Sequence, residues 1–176
     1  GSEMCIRDSG ADAVYIGASR FGARASAGNS VEDIARVVEY AHTFRVKVYV
    51  TVNTILKDEE LPETEKLVWA LYRAGVDALI VQDMALLDLD LPPIPLHAST
   101  QMAVHNKEGA LALQKAGFSR VVLARELSLS EIKEIAAIPG LETEAFVHGA
   151  LCYSYSGLCL FSSLETGRSA NRGKCL

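Results

Sequence analysis

Gly75-Val76-Asp77-Ala78-Leu79-Ile80-Val81 has two counterparts in the chain, Gly10-Ala11-Asp12-Ala13-Val14-Tyr15-Ile16 and Gly117-Phe118-Ser119-Arg120-Val121-Val122-Leu123. Each sets a glycine three residues ahead of a short apolar run, the pattern of a helix-ending glycine and a tight loop into a strand. Outward from these, Ala13–Gly17, Lys47–Asn53, Ala78–Gln82, Pro95–Ser99, Val121–Arg125 and Glu144–His148 read as strands. Helical patterns separate most of them. Ser30-Val31-Glu32-Asp33 offers a capping box ahead of Ile34, Val37, Val38 and Ala41, and Pro62 occupies a first turn before Leu67, Ala70, Leu71 and Ala74. Alternating β and α segments with continuously apolar strands predict a parallel sheet. No G-x-G-x-x-G turn follows the first strand, which disfavours a dinucleotide-binding half and leaves a barrel. Six strands in 176 residues fall short of the roughly 250 residues of a closed eight-stranded barrel. The expected fold class is therefore α/β, an incomplete (β/α) TIM-like barrel truncated at both ends.

Composition narrows the function classes. With 49% hydrophobic and 22% charged residues, the chain is apolar enough to bury a core and too mixed to be disordered. The stretch Leu86–Gln101 is broken by Asp88, Asp90 and three prolines, so no segment reads as a membrane span. A net charge of −5 argues against a dedicated nucleic-acid surface of strongly basic type, though not against a local basic patch. No apolar h-region with a cleavage site is read at the start, so a cytoplasmic protein with free or metal-bound thiols is expected.

The ends read separately. Glu3-Met4-Cys5-Ile6-Arg7-Asp8-Ser9 looks like the translation of a transposon-end oligonucleotide used in sequencing libraries, and Gly1-Ser2 like a cloning scar. The expected organisation is an artefact over 1–9, a partial barrel over 10–151, and a cysteine-containing segment of the same domain over 152–176.

In an α/β barrel the chemistry sits at the carboxyl ends of the strands. Here those ends carry Asn53, then Gln82 and Asp83, then His97, Ser99, Thr100 and Gln101, then Arg125 and Glu126, then His148 and, shortly after, Cys152. Polar residues are ordinary where a strand exits into a solvated loop, but six parallel strands would gather all of these around one mouth. His97, Gln101, Arg125, Glu126 and His148 are the candidate catalytic residues. Asn53, Gln82, Asp83 and Ser99 are candidates for substrate binding. Arg20 and Arg24, flanking Phe21 in the loop after the first strand, suit an anion or an RNA phosphate, or a plain solvated loop. A zinc site at His97 and His148 with Asp83 or Glu126 lacks H-x-H or H-E-x-x-H spacing, and Ser99 lacks a G-x-S-x-G elbow.

Cys152, Cys159 and Cys175 crowd into a segment rich in Gly, Ser and Tyr. Three thiolates at a barrel mouth make a soft-metal site for zinc, copper(I) or an iron–sulfur cluster. The spacing matches neither ferredoxin runs nor paired C-x-x-C ribbons, and a single reactive thiol, Cys152 near His148, is a further option.

The stretch Glu144-Ala-Phe146-Val-His148-Gly149-Ala150-Leu151-Cys152, with Gly157-Leu-Cys159-Leu-Phe161-Ser162 after it, closely resembles the signature of peptidase family U32, the collagenase-like peptidases. Phe161 stands where that family more often has an aliphatic residue. The resemblance runs from Gly10 onward and includes Val50-Thr-Val-Asn53 and Ala124-Arg125-Glu126-Leu127-Ser128. Leu96-His97-Ala-Ser99-Thr100-Gln101 and Thr166-Gly-Arg168-Ser-Ala-Asn171-Arg172-Gly173 look most like the branch that hydroxylates a cytidine of 23S rRNA. Sister branches act on tRNA uridine or on ubiquinone precursors. The resemblance implies an incomplete barrel carrying a 4Fe-4S cluster, oxygen-independent hydroxylation, and prephenate as the source of the hydroxyl group. It assigns Cys152, Cys159 and Cys175 to three cluster ligands, the fourth lying a few residues past Leu176, so this stretch of chain alone is expected to be inactive.

The expectation is thus an RNA hydroxylase with 23S rRNA or its precursor as substrate and no membrane partner. Arg168, Arg172 and Lys174 form a small basic group beside the cysteines. Three alternatives stand beside it. They are a collagenase-like peptidase using Cys152 with His148 or a metal, a tRNA uridine hydroxylation protein, and a non-enzymatic barrel that serves another subunit.

Overall fold

The computed structural model describes residues 9–22, 28–149, 152–172 and 174. Seven strands lie in the order β2-β1-β3-β4-β5-β6-β7, and every neighbouring pair is parallel. They are β1 (Ala13–Ala18), β2 (Gly28–Asn29), β3 (Lys47–Val52), β4 (Ala78–Val81), β5 (Leu96–Ala98), β6 (Arg120–Val122) and β7 (Glu142–Glu144). Helices α1 (Val31–Thr43), α2 (Leu61–Arg73), α3 (Lys107–Lys115) and α4 (Leu129–Ala136) fall between strands, and a short α5 (Phe161–Thr166) follows the last. This is the alternation expected of an incomplete barrel.

Two expectations need correction. Among the described residues the sheet has seven strands rather than six, because Gly28–Asn29 pairs with the end of β1 through Gly17 and Ala18; two residues carry no apolar pattern to read. The last strand is Glu142–Glu144, not Glu144–His148. Its hydrogen bonding ends at Glu144, whose carbonyl accepts from Leu123 N at 2.9 Å. His148 therefore lies on an exposed bend past the sheet.

Strand periodicity separates two layers. Val14, Ile16, Val48, Val50, Val52, Leu79 and Val81 face outward and pack with Ile34, Val38 and Ala41 of α1 and Val68 and Leu71 of α2 in the main core. Burying each such side chain contributes about 1.5–3 kcal/mol. The inner face holds a small cluster of Tyr49, Ala78 and Ile80. Helix entry follows the sequence signals: Ser30 caps α1 by accepting from Asp33 N at 3.1 Å, and Pro62 sits in the first turn of α2. Gly75 and Gly117 take positive φ after their helices, as the repeated glycine requires.

The sheet curls far enough for its distant strands to touch. Tyr15 on β1 donates a hydrogen bond to Glu144 on β7, although β3, β4, β5 and β6 lie between them.

Candidate functional site at the barrel mouth

The residues that leave β3, β4 and β5 form the mouth. Asn53 is buried and donates from Nδ2 to Ser99 Oγ at 3.1 Å. Ser99 Oγ also accepts from Gln101 N at 3.2 Å. Asp83 accepts from Leu56 N at 2.8 Å and Ala85 N at 3.0 Å. Asn53, Asp83 and Ser99 thus tie neighbouring loops together. Gln82 and Gln101 line an open cleft of about 380 Å³ together with Ile55, Asp83, Met84 and Met102. Gln82 Nε2 donates to the Gln101 carbonyl at 3.5 Å, while its Oε1 is buried without a hydrogen-bond partner. Ile55, Met84 and Met102 were not anticipated, since apolar residues in strand-end loops give no sequence signal.

His97 sits lower, inside the curled sheet. It is 4% exposed, with its ring edge-on to Tyr49 at 4.8 Å and Nδ1 without a hydrogen-bond partner. Burial, helped by the positive charge of Arg120, pushes its pKa down to about 4, so it is neutral at pH 7. Arg120 lies over the Tyr49 ring at 5.0 Å and pairs with Glu142 at 2.6 Å and Glu144 at 3.4 Å. This inner polar layer, with Tyr15 hydrogen-bonded to Glu144, is a unit the strand-end reading missed, because Arg120, Glu142 and Glu144 stand within strands.

The segment after β7 crosses the mouth. Ser156, 1% exposed, donates from N and Oγ to Glu126 Oε1 at 2.8 and 3.3 Å and accepts from Arg125 N at 3.4 Å. Burial raises the Glu126 pKa, but its own backbone N–H and the Ser156 donors hold it below the usual carboxylate range overall. His105 Nε2 stands 3.4 Å from Glu126 Oε2. Farther along, Arg172 forks onto both Glu60 oxygens at 2.6 and 2.5 Å and reaches Ile55 O at 2.7 Å. Arg172 holds the Glu60 carboxyl near pKa 2. That guanidinium is taken up by Glu60 and Ile55 rather than left to a basic group beside the cysteines. Arg20 is likewise paired with Glu63.

Cys152 is exposed and Cys159 half-buried. Hydrogen bonds from the Ser154 side chain and from the backbone of Phe161 and Ser162 lower the Cys159 pKa, the Ser154 bond most. These are soft donors of the kind a cluster takes. Among the described residues, no three His, Cys, Asp or Glu side chains assemble into a metal-holding group. Arg24 and Cys175, along with residues 1–8, lie outside the described residues. No helix among the described residues is long and apolar enough to cross a membrane.

The profile of peptidase family U32 matches residues 4–176. The chain is 55% identical over 166 residues to a 23S rRNA 5-hydroxycytidine C2501 synthase of Escherichia coli strain K12, covering 94% of this chain and 25% of that protein. It is 39% identical to tRNA hydroxylation protein P1 of Bacillus subtilis strain 168, covering 94% and 40%. It is 35% identical to a collagenase of Porphyromonas gingivalis strain W83, covering 99% and 45%. Among solved structures, the U32 peptidase Mk0906 superposes with a TM-score of 0.62 at 16% identity, over 76% of this chain and 60% of that one; at that identity the likeness concerns the fold alone. The chain spans between a quarter and a half of the length of these curated relatives.

Proposed function

The chain belongs to peptidase family U32, and on that footing we propose that it is the barrel portion of an enzyme that hydroxylates a cytidine of 23S rRNA. The observation that carries this reading is its 55% identity to the Escherichia coli cytidine synthase, against 39% to the Bacillus subtilis tRNA protein and 35% to the collagenase. The cleft lined by Gln82, Gln101, Ile55, Met84 and Met102 supports it, since a mixed polar and apolar lining at the strand ends suits a base taken out of its stack.

The reaction proposed is oxygen-independent, with prephenate as the hydroxyl source and a 4Fe-4S cluster on Cys152, Cys159, Cys175 and one cysteine outside this sequence. The thiol chemistry of Cys152 and Cys159 fits such a group, and when bound it would supply electron transfer. This chain's own residues hold the mouth: Asn53 and Ser99 fix the β3 and β5 exits, Asp83 fixes the β4 exit, and Glu126 holds the cysteine segment. His97, neutral and beneath the mouth, is placed as an uncharged polar group rather than a cation.

Deletion of the gene followed by nucleoside mass spectrometry of ribosomal RNA tests the substrate: loss of 5-hydroxycytidine is expected, and its persistence overturns the assignment. Anaerobic purification of the full-length protein should give iron and sulfide, and a colourless, iron-free product rejects the cluster. The peptidase alternative, kept by the collagenase likeness, requires gelatin cleavage that is lost on Cys152→Ala or His148→Ala.

A further inference from the structure

Ser156 stands between Cys152 and Cys159 in sequence and is the point at which their segment is fastened to the barrel. All its polar groups but the carbonyl are engaged with the β6 exit: N and Oγ donate to Glu126 Oε1, and Oγ accepts from Arg125 N. A carboxylate that accepts a backbone N–H makes a charge-assisted bond, stronger than a neutral one. The next residue is fitted as closely. Gly157 has φ of +77° and lies so near the Gln101 carbonyl that a Cβ would sit 2.2 Å from its oxygen.

His105 stands beside Glu126 without a hydrogen bond to it. The Nδ1 of His105 lies 2.7 Å from the Ala103 carbonyl, and a carbonyl oxygen only accepts, so Nδ1 carries a proton. Its Nε2 lies 3.4 Å from Glu126 Oε2 without a hydrogen-bond partner, and its ring lies 6.1 Å from that of Tyr155, the neighbour of Ser156. Glu126 Oε1 is taken up by two donors of Ser156, which ties this carboxylate to the cysteine segment.

We propose that Glu126 is a positioning residue that fixes the Cys152–Cys159 segment over the barrel mouth through Ser156. It sets where the thiols stand relative to the Gln82–Gln101 cleft. The inference rests on the proposed function only in treating the thiols as working groups.

Amide hydrogen exchange on the full-length protein decides it. Glu126→Ala should speed exchange across residues 152–160 by about tenfold or more while β1, β3 and β4 stay within about twofold. Glu126→Gln, whose amide oxygen still accepts from Ser156 N, should return the segment to within about threefold of the parent protein. Unchanged exchange in 152–160, or equal acceleration throughout the sheet, overturns the proposal. Iron bound after anaerobic reconstitution should fall in Glu126→Ala and recover in Glu126→Gln; an alanine variant that loads like the parent overturns the consequence for the thiols. A parent protein that takes up no iron rejects the cluster, and the exchange result then judges the positioning role separately.

Discussion

Tyr15 on β1 donates its phenolic hydrogen to Glu144 on β7, joining two strands that are five places apart across the curled sheet. Burial, then this hydrogen bond and the carboxylate's charge, push the tyrosine's pKa far above its ordinary value. The contact is a measure of curvature, because a flat parallel sheet would hold these strands more than 20 Å apart at about 4.8 Å per strand.

Removing it should loosen the curl. Tyr15→Phe deletes the donor and leaves the Glu144 oxygen to water and Arg120, at a cost of about 1 kcal/mol. Urea unfolding of this chain should show a lower midpoint with an unchanged slope; an unchanged midpoint means the contact contributes nothing to stability.

His97 predicts a pH dependence. Its folded pKa of about 4 lies below the ordinary value near 6.5, so the unfolded chain binds more protons between those limits. Stability from this group is fully present above about pH 6.5 and is lost as pH falls toward 4, by roughly 3 kcal/mol at most. Burial sets this, helped by the charges of Arg120 and Lys47 and opposed by Glu142. His97→Leu should flatten the stability profile over that range, and an NMR titration of the parent protein should find the ring neutral at pH 5.

Gly157 predicts a steric break. Gly157→Ala would place a methyl 2.2 Å from the Gln101 oxygen and 2.8 Å from its carbonyl carbon, at a φ of +77° that alanine resists. The variant should undock the cysteine segment and raise proteolytic nicking within 152–160, while the melting of the sheet stays close to that of the parent protein. A segment as protease-resistant as the parent's would contradict the close packing.

Cys159 predicts a reactivity shift. Its thiol is drawn below the ordinary range chiefly by the Ser154 side chain, and the thiolate is the reactive form. Ser154→Ala should move the pH midpoint of iodoacetamide labelling at Cys159 upward, with Cys152 as the internal control. A midpoint that does not move removes Ser154 from the account.

Much of the fold is legible in the chain because it is local. Gly75 and Gly117 end their helices, Ser30 caps one, and Val48, Val50 and Val52 repeat at the period of a strand. The strand exits at Asn53, Gln82, Asp83, Ser99 and Gln101 follow from the same alternation, so that part of the mouth is legible too. His105, Ser156 and Arg120 are not. Each matters through a partner distant in sequence, Glu126 for the first two and Glu142 and Glu144 for the third, and no periodicity encodes such pairs. The pairing of Arg172, read as one of a basic group beside the cysteines, is illegible for the same reason: Glu60, to which it bonds, is 112 positions away.

The sequence by itself determined a parallel α/β sheet, the strand ends as the working edge and the cysteine-rich segment as the chemically distinctive part, since these depend on local periodicity, turn chemistry and residue type. Only the tertiary structure decided what the polar residues do. Curling the sheet buries His97 in a layer where desolvation keeps it neutral. It turns Asn53, Asp83 and Ser99 into loop ties and lays the cysteine segment across the mouth, where Glu126 and Glu60 hold it. A side chain's role depends on which partners desolvate and neutralise it, and chain folding alone brings those partners within hydrogen-bonding reach.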